Sequence, residues 1–116
     1  MAGFRNVGDT LRADYARMET KLRGELRREM NAELSCLSGR GHAKMRWTVK
    51  KYYLYVFRRY RIELRGWPRG VPFMNLSKLT GLARIQRLSE RWKAGKMHFA
   101  PVSDAALEAA RKNPIS

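Results

Sequence analysis

Lysine and arginine side chains dominate the middle of this 116-residue sequence. Sixteen of them lie between Arg40 and Lys96, against only two carboxylates, Glu63 and Glu90. The whole chain has a formal net charge of +15, so this stretch holds almost all of it. Nine of the chain's aromatic residues lie in the same stretch. Positive charge of this density repels itself, and a polyanion is the partner that relieves the repulsion.

Three arginines have the spacing of a single row on a helix. Arg84, Arg87 and Arg91 recur at i, i+3 and i+7, and at 1.5 Å per residue the row is about 10 Å long. A guanidinium stays charged and can grip two phosphate oxygens at once. A helix also fits the major groove of DNA, where arginine reads guanine edges. The alternative is a solvated face that only keeps the domain in solution.

A second set of cations flanks a predicted helix and alternates with aromatic residues. The cations around this helix are Lys44, Arg46, Lys50, Lys51, Arg58, Arg59 and Arg61. The candidate binding residues among them are Lys50, Lys51, Arg58, Arg59 and Arg61. Interleaved cations and aromatics can neutralise phosphates and stack on bases. Trp47 and Tyr55 are the candidates for stacking, since both fall outside the main apolar face of that helix. The alternative places most of the aromatic residues in the core, which a domain of this size needs.

Residues suited to catalysis or metal binding are sparse. Beyond the first helix the carboxylates are Glu63, Glu90, Asp104 and Glu108, too scattered for a carboxylate pair or a divalent metal site. Two histidines and one cysteine fall short of the roughly four ligands of a zinc site. No Walker or GxGxxG loop is present. We therefore expect a protein that is not an enzyme and needs no cofactor and no metal.

Composition and cysteine usage favour one intracellular domain. The hydrophobic content of 44% argues against disorder, and the longest apolar run, residues 52–57, is far below the roughly 18 residues of a membrane span. We expect no membrane association. No secretory leader is evident, and the single cysteine, Cys36, excludes an intrachain disulfide. Cys36 is expected to be a small, partly buried hydrophobe.

Apolar periodicity predicts a small, mainly α-helical domain of about four helices. We predict a long helix over residues 9–37 capped by Asp9, and a second helix over residues 44–60. A third is predicted over residues 77–94, capped by Ser77 or Thr80 and ended by Gly95. The fourth, over residues 103–112, is capped by Ser103. A strand is the alternative for residues 52–57, because tyrosine and valine have high β-propensity.

The long helix carries an apolar stripe with a period of about 3.7 residues. Its members are Leu11, Tyr15, Met18, Leu22, Leu26, Met30, Leu34 and Leu37. The stripe favours packing onto the domain's own core. A short dimer seam over Leu11–Leu22 is the alternative, since Glu25 and Glu29 interrupt a longer heptad pattern.

Residues 61–76 are predicted to form an extended segment and a structured Trp/Pro loop. Pro68 and Pro72 exclude the helical conformation for the residues before them. Because Trp67, Val71 and Phe73 lie among the turn residues, we expect the loop to fold back and bury them. An exposed aromatic site for a base or a peptide is the alternative.

The same segment carries a resemblance. The sequence Ile62–Ser77, followed by a leucine-rich helix and Trp-Lys-Ala-Gly-Lys, resembles part of a group of uncharacterised fungal proteins with a GWP…VPF…N-x-S motif. The resemblance covers about residues 60–99 and implies a compact unit around Trp67 and a eukaryotic, nuclear setting. No activity is established for that group, so the resemblance assigns no functional residue.

These features predict a non-enzymatic nucleic-acid-binding domain that contacts the phosphate backbone, with DNA favoured over RNA. A nuclear location and a role in transcription regulation accompany this hypothesis. One alternative is a protein-interaction or dimerisation module that uses the long helix. Another is an RNA-binding component of a ribonucleoprotein.

Overall fold

The computed structural model describes residues 7–112. Over these residues the chain forms α1 (Val7–Ser38), α2 (residues 49–60), β1 (Ile62–Arg65), α3 (Leu82–Lys93), β2 (His98–Pro101) and α4 (Asp104–Lys112). The predicted class, a small mainly α-helical domain with a long first helix, is confirmed. No helix in this part of the chain is long and apolar enough to cross a membrane.

The C-terminal half of α1 forms one side of the core. Leu26, Met30 and Leu34 recur every four residues and are at most 2% exposed. They face α3, the helix with which α1 makes most of its contacts. The Arg23 guanidinium also donates to the Leu79 carbonyl at 2.8 Å, which ties α1 to the turn before α3. The apolar stripe therefore packs on the domain's own core over this half, as predicted.

The N-terminal half of α1 extends away from the body of the molecule. Leu11, Tyr15 and Met18 belong to the same stripe, yet they are 43–49% exposed. The long helix gives the molecule extents of 67 × 28 × 23 Å. The helix includes Val7, so the prediction of an N-cap at Asp9 is wrong.

The second helix begins five residues later than predicted. The Thr48 hydroxyl accepts the Lys51 N–H at 3.2 Å and caps the helix, while residues 44–47 form no regular secondary structure. An α-helical turn over Val49–Tyr52 continues through a π-turn over Tyr53–Phe57 to a last α-turn over Arg58–Tyr60. Helix, rather than strand, is therefore confirmed for residues 52–57.

A two-stranded antiparallel sheet follows α2, and half of it was absent from the prediction. β1 pairs with β2 so that Ile62 lies opposite Pro101 and Arg65 opposite His98. Phe99, on β2, is buried against the core. The extended conformation of β1 matches the prediction, whereas β2 lies in a stretch for which no element was predicted.

The Trp/Pro loop folds back on the core, and of the residues predicted to be buried Val71 is buried, while Trp67 and Phe73 are half-buried. The Trp67 indole N–H donates to the Val71 carbonyl at 2.7 Å, and Val71 is buried. Phe73 lies edge-on to Trp67, with ring centroids 5.2 Å apart, and its ring centroid is 5.5 Å from that of Tyr52. The loop is thus an aromatic cover over this side of the core.

The third helix starts later than its predicted caps. Gly81 is the N-cap residue of α3, with φ of 100°, so the predicted caps Ser77 and Thr80 are wrong. Residues 76–78 form a separate turn, in which the Asn75 carbonyl accepts the N–H groups of Lys78 and Leu79. The glycine conformation breaks the helical path between that turn and α3.

Two helix boundaries predicted in the last third of the chain are present, the end of α3 at Gly95 and the start of α4 at Ser103. Gly95 ends α3 in the left-handed region, at φ of 74°, and the Arg91 carbonyl accepts the Lys96 N–H at 2.9 Å. This is the Schellman pattern of a helix C-terminus. At α4, the Ser103 hydroxyl accepts the Ala106 N–H at 3.1 Å. Ser103 is therefore the N-cap of α4.

Candidate nucleic-acid interface

An exposed tyrosine lies beside two arginines on the outer side of α2. The Arg46 guanidinium carbon is 5.3 Å from the centroid of the Tyr55 ring, and that of Arg59 is 5.9 Å away. Both distances fall within the range of cation–π attraction. Tyr55 is 40% exposed, so its ring and both guanidinium groups are accessible to a ligand.

Arg46 also borders a groove of about 610 Å³, which we call the basic groove. The residues that line it are Met45, Arg46, Trp47, Thr48, Lys51, Phe73, Met74, Asn75 and Lys78. Three of these side chains are cationic, and none is a carboxylate. The groove therefore combines positive charge with two aromatic rings, a combination suited to an anionic ligand that has flat apolar parts.

The surrounding elements fix the positions of the three groove cations. The Asn31 side chain accepts the Met45 N–H at 2.9 Å, which holds the segment before α2 that carries Arg46. Lys51 lies in the first turn of α2 and its N–H binds the cap residue Thr48. Lys78 lies in the turn that begins at Asn75. Three separate segments thus converge on one concave surface.

The π-turn of α2 affects which cations share a side of the helix. A π-turn contains one residue more than an α-turn, so the residues after it lag by about 100°. In a regular α-helix Arg58 would follow Lys51 on the same side, seven residues later. With the extra residue, Arg59 takes that position instead. Arg59, which lies beside Tyr55, and Lys51, which lines the basic groove, are thereby aligned along α2.

The predicted arginine row on α3 is split. Arg84 and Arg87 are exposed and form no ion pair within residues 7–112. Arg91 is half-buried, and its guanidinium Nε donates to the Gly66 carbonyl at 2.9 Å. Arg91 therefore joins α3 to the start of the Trp/Pro loop, and the expectation of three equivalent surface arginines is wrong for this residue.

The remaining predicted cations around α2 also differ in their surroundings. Arg61 has φ of 55° at the C-cap of the helix, and its guanidinium lies 3.7 Å from the exposed Asp104 carboxylate. Lys50 and Arg58 are exposed. The structure thus assigns Arg61 a part in ending α2, while Lys50 and Arg58 are exposed and do not line the basic groove.

Of the two predicted stacking residues, only Tyr55 is an outward-facing ring. Trp47 is half-buried and lies 5.7 Å from Phe73 and 6.1 Å from Trp67, centroid to centroid. One side of Trp47 lines the basic groove and the rest belongs to the aromatic cover of the core. Trp47 is therefore a wall of the groove rather than a free platform for a base.

Sequence reasoning counted Arg46 among the cations around the second helix without choosing it as a binding residue, and it left out Lys78. Arg46 precedes α2 and lies nine residues before Tyr55, so helical spacing does not bring the two together. Lys78 reaches the groove only because the chain turns at Asn75. The signal in the sequence is the Asn-x-Ser pattern at residues 75–77, where the predicted loop ends and where the structure forms the turn that presents Lys78.

The phenol of Tyr52 packs against Phe73, a residue of the groove lining, and carries no charge at neutral pH. Burial raises the pKa of Tyr52 above its usual 10.0; the hydrogen bond from the Leu64 N–H lowers this pKa, and the negative charge of Glu63 raises it further. The Tyr52 hydroxyl oxygen accepts the Leu64 N–H at 2.7 Å. Tyr52 thus links α2 to β1, and the field over the groove is set by the cations.

Within the described residues, no cluster of three or more histidine, cysteine or acidic side chains has the geometry to hold a metal ion. Cys36 is exposed on α1, so the expectation that it is partly buried is wrong. Comparison of the chain with protein-family models, curated proteins and solved structures gives no match.

Proposed function

We propose that this protein is a non-enzymatic nucleic-acid-binding domain that contacts the phosphate backbone through the basic groove and the adjoining Tyr55 site. The observation that carries the proposal is the position of Arg46, which belongs to both. It joins Lys51 and Lys78 in the groove with Arg59 beside an exposed ring. A phosphodiester backbone can occupy such a surface with its phosphate charges on the four cations.

The four cations of this surface are available to an external anion. Arg46, Lys51, Arg59 and Lys78 form no ion pair within residues 7–112. If each neutralises one phosphate, the slope of log K against log salt is about −3.6. Affinity would then fall about 150-fold between 50 and 200 mM salt.

DNA is the preferred ligand in this proposal. The proposed surface includes Arg59, which is exposed on α2, and an α-helix fits the major groove of B-form DNA but not the narrow major groove of double-stranded RNA. A nuclear location and a role in transcription regulation belong to the same proposal, as does the kinship with the fungal proteins that share the GWP motif.

Binding to a fluorescent 20-base-pair duplex, measured by anisotropy between 50 and 200 mM salt, tests the groove. The test variant is Arg46→Ala with Lys78→Ala. The matched control is Arg84→Ala with Arg87→Ala, which removes the same charge from α3. We expect the salt slope to fall to about −1.8 in the groove variant, while the control keeps more of its affinity.

Three outcomes would contradict this assignment. A larger loss in the α3 control would move the interface to Arg84 and Arg87. Equal, small losses in both variants would make the binding a diffuse effect of net charge. Tighter binding of structured RNA than of the duplex at the same salt concentration would favour the ribonucleoprotein alternative.

We also propose that the N-terminal half of α1 mediates self-association. The observation that favours this second role is the exposed part of the apolar stripe, formed by Leu11, Tyr15 and Met18. Side chains of this size at helical spacing bury well only against another surface. Size-exclusion chromatography with light scattering tests the role. A monomer at every concentration up to about 500 µM would contradict it, and Met18→Glu is expected to abolish any dimer.

A further inference from the structure

The exposed half of α1 has the spacing of a short coiled-coil seam. Leu11, Tyr15, Met18 and Leu22 follow one another at intervals of four, three and four residues, which are the a and d positions of a heptad pattern. The first three are exposed, whereas Leu22 is half-buried and packs in part against the domain's own core. The charges over this stretch are nearly balanced, in contrast to the strongly basic middle of the chain. Electrostatic repulsion between two copies is therefore weakest here.

We infer that two copies of this chain pair antiparallel through this segment, with Tyr15 opposite the partner's Met18 and Leu11 opposite the partner's Leu22. The inference rests on the self-association proposed above and specifies its geometry. In this register the dyad passes between Ala16 and Arg17. All four apolar layers are then filled by one apolar side chain from each copy.

The charges beside the seam favour this register. In an antiparallel pair, Asp14 lies closest to the partner's Lys21, and Arg12 lies closest to the partner's Glu19, each with an axial offset of about 3 Å. The dyad repeats both pairs, which gives four attractive contacts. Within one chain Asp14 already pairs with Arg17, and Glu19 lies 3.7 Å from Arg23, so the interface would enlarge two existing charge networks.

A parallel pair would oppose like charges. In a parallel coiled coil a residue at position g faces the residue five positions later in the partner. Asp14 would then face the partner's Glu19 on both sides of the dyad. Lys21 would face the partner's Leu26, which the partner's own core already buries. Like-charge pairs of this kind destabilise helix association, so the sequence selects the antiparallel arrangement.

The body of the molecule leaves space for the partner's first turns. A cavity of about 480 Å³ opens between α1 and α3 at the end of the exposed stripe. Met18 and Leu22 lie on its α1 side, and Gln86, Ser89 and Lys93 line its α3 side. Because the partner's Leu11 lies opposite Leu22 in the proposed register, the first turns of the partner helix lie over the mouth of this cavity. The seam is thereby continued onto the globular part.

The single native cysteine gives a direct measurement of orientation. Cys36 is exposed on the same continuous helix, about 29 Å from the proposed dyad. Spin labels on the two copies would lie about 58 Å apart in the antiparallel dimer, and within about 20 Å in a parallel one. Double electron–electron resonance on the labelled wild-type protein is expected to show the long distance.

Exchange of the flanking charges supplies a second, independent test. Asp14→Lys alone is expected to weaken dimerisation about 5- to 20-fold, because two attractive pairs become repulsive. Lys21→Glu alone is expected to do the same. Mixed in equal amounts, the two variants regain attractive pairs in the heterodimer and should associate within about threefold of the wild type. Sedimentation velocity at several concentrations measures dimerisation of each variant alone and of the mixture.

The outcomes separate the geometry from self-association itself. A dimer with a short label distance, or one that Asp14→Lys strengthens, would overturn the antiparallel arrangement while self-association stands. A wild-type protein that remains monomeric would remove both. Each charge variant's circular dichroism spectrum checks that a lost dimer does not reflect a lost helix.

Discussion

Replacing Gly66 by alanine tests whether the turn between β1 and the Trp/Pro loop is as tightly packed as the structure indicates. Gly66 has φ of 85°, and a Cβ atom there would lie 1.9 Å from the Lys96 carbonyl oxygen. Gly70, four residues later, has φ of 83°, but no atom outside its two chain neighbours would lie within 4 Å of a Cβ atom placed there. The two glycines therefore share the backbone conformation and differ in the contact.

The difference sets the expected magnitudes. A left-handed conformation costs a residue with a Cβ about 1 kcal/mol, and we expect Gly70→Ala to lose that amount. In Gly66→Ala the neighbouring backbone must also move by more than 1 Å. Lys96 is held by its hydrogen bond to the Arg91 carbonyl, and Arg91 holds Gly66 in turn. Breaking such contacts brings the expected loss to about 3–5 kcal/mol.

Thermal unfolding followed by circular dichroism at 222 nm measures both variants. For a domain of this length 1 kcal/mol corresponds to about 4 °C in Tm. We expect Gly70→Ala to lower Tm by about 4 °C and Gly66→Ala to lower it by at least about 12 °C. Equal shifts in the two variants would refute the close approach of Gly66 to Lys96.

Two further changes test contacts of the fold. Tyr52→Phe removes the acceptor of the Leu64 N–H and is expected to cost about 1–2 kcal/mol at pH 7. Because the folded state raises the pKa of Tyr52, this residue's contribution to the free energy of unfolding is complete below pH 10 and is lost as the pH rises further. The free energy of unfolding of Tyr52→Phe should therefore fall less above pH 10 than that of the wild type. Denaturant titrations at several pH values measure the difference. Ser103→Ala should cost about 1 kcal/mol through loss of the α4 cap, whereas Thr80→Ala, at a predicted cap the structure does not use, should change the unfolding free energy by less than about 0.5 kcal/mol.

Periodicity predicted the helices because each must turn one face to the core. The stripe of α1 and the cap of α4 are local signals, and both are present in the structure. The exposure of Leu11 and Met18 was beyond such reasoning, since periodicity identifies an apolar face but not what covers it. β2 was missed for a similar reason: its four residues include Pro101, and only pairing with the distant β1 makes them a strand.

The candidate site was predictable in composition and only partly in geometry. Tyr55 and Arg59 could be chosen from the sequence because they lie four residues apart in one helix. Arg46 and Lys78 join them through reversals of the chain that no spacing rule describes. Arg91 was wrongly grouped with the exposed arginines Arg84 and Arg87, because its partner, the Gly66 carbonyl, is a backbone group that has no signature in the sequence.

The π-turn makes the surface around α2 sensitive to chain length. Deleting one residue from Tyr53–Phe57 would restore a regular α-helix and rotate the preceding half by about 100° relative to Arg61 and β1. Lys51 would then point away from Arg59, although every other side chain keeps its identity. The number of residues between Thr48 and Arg61 should therefore be constrained more tightly than the identity of the exposed side chains of α2 outside the site.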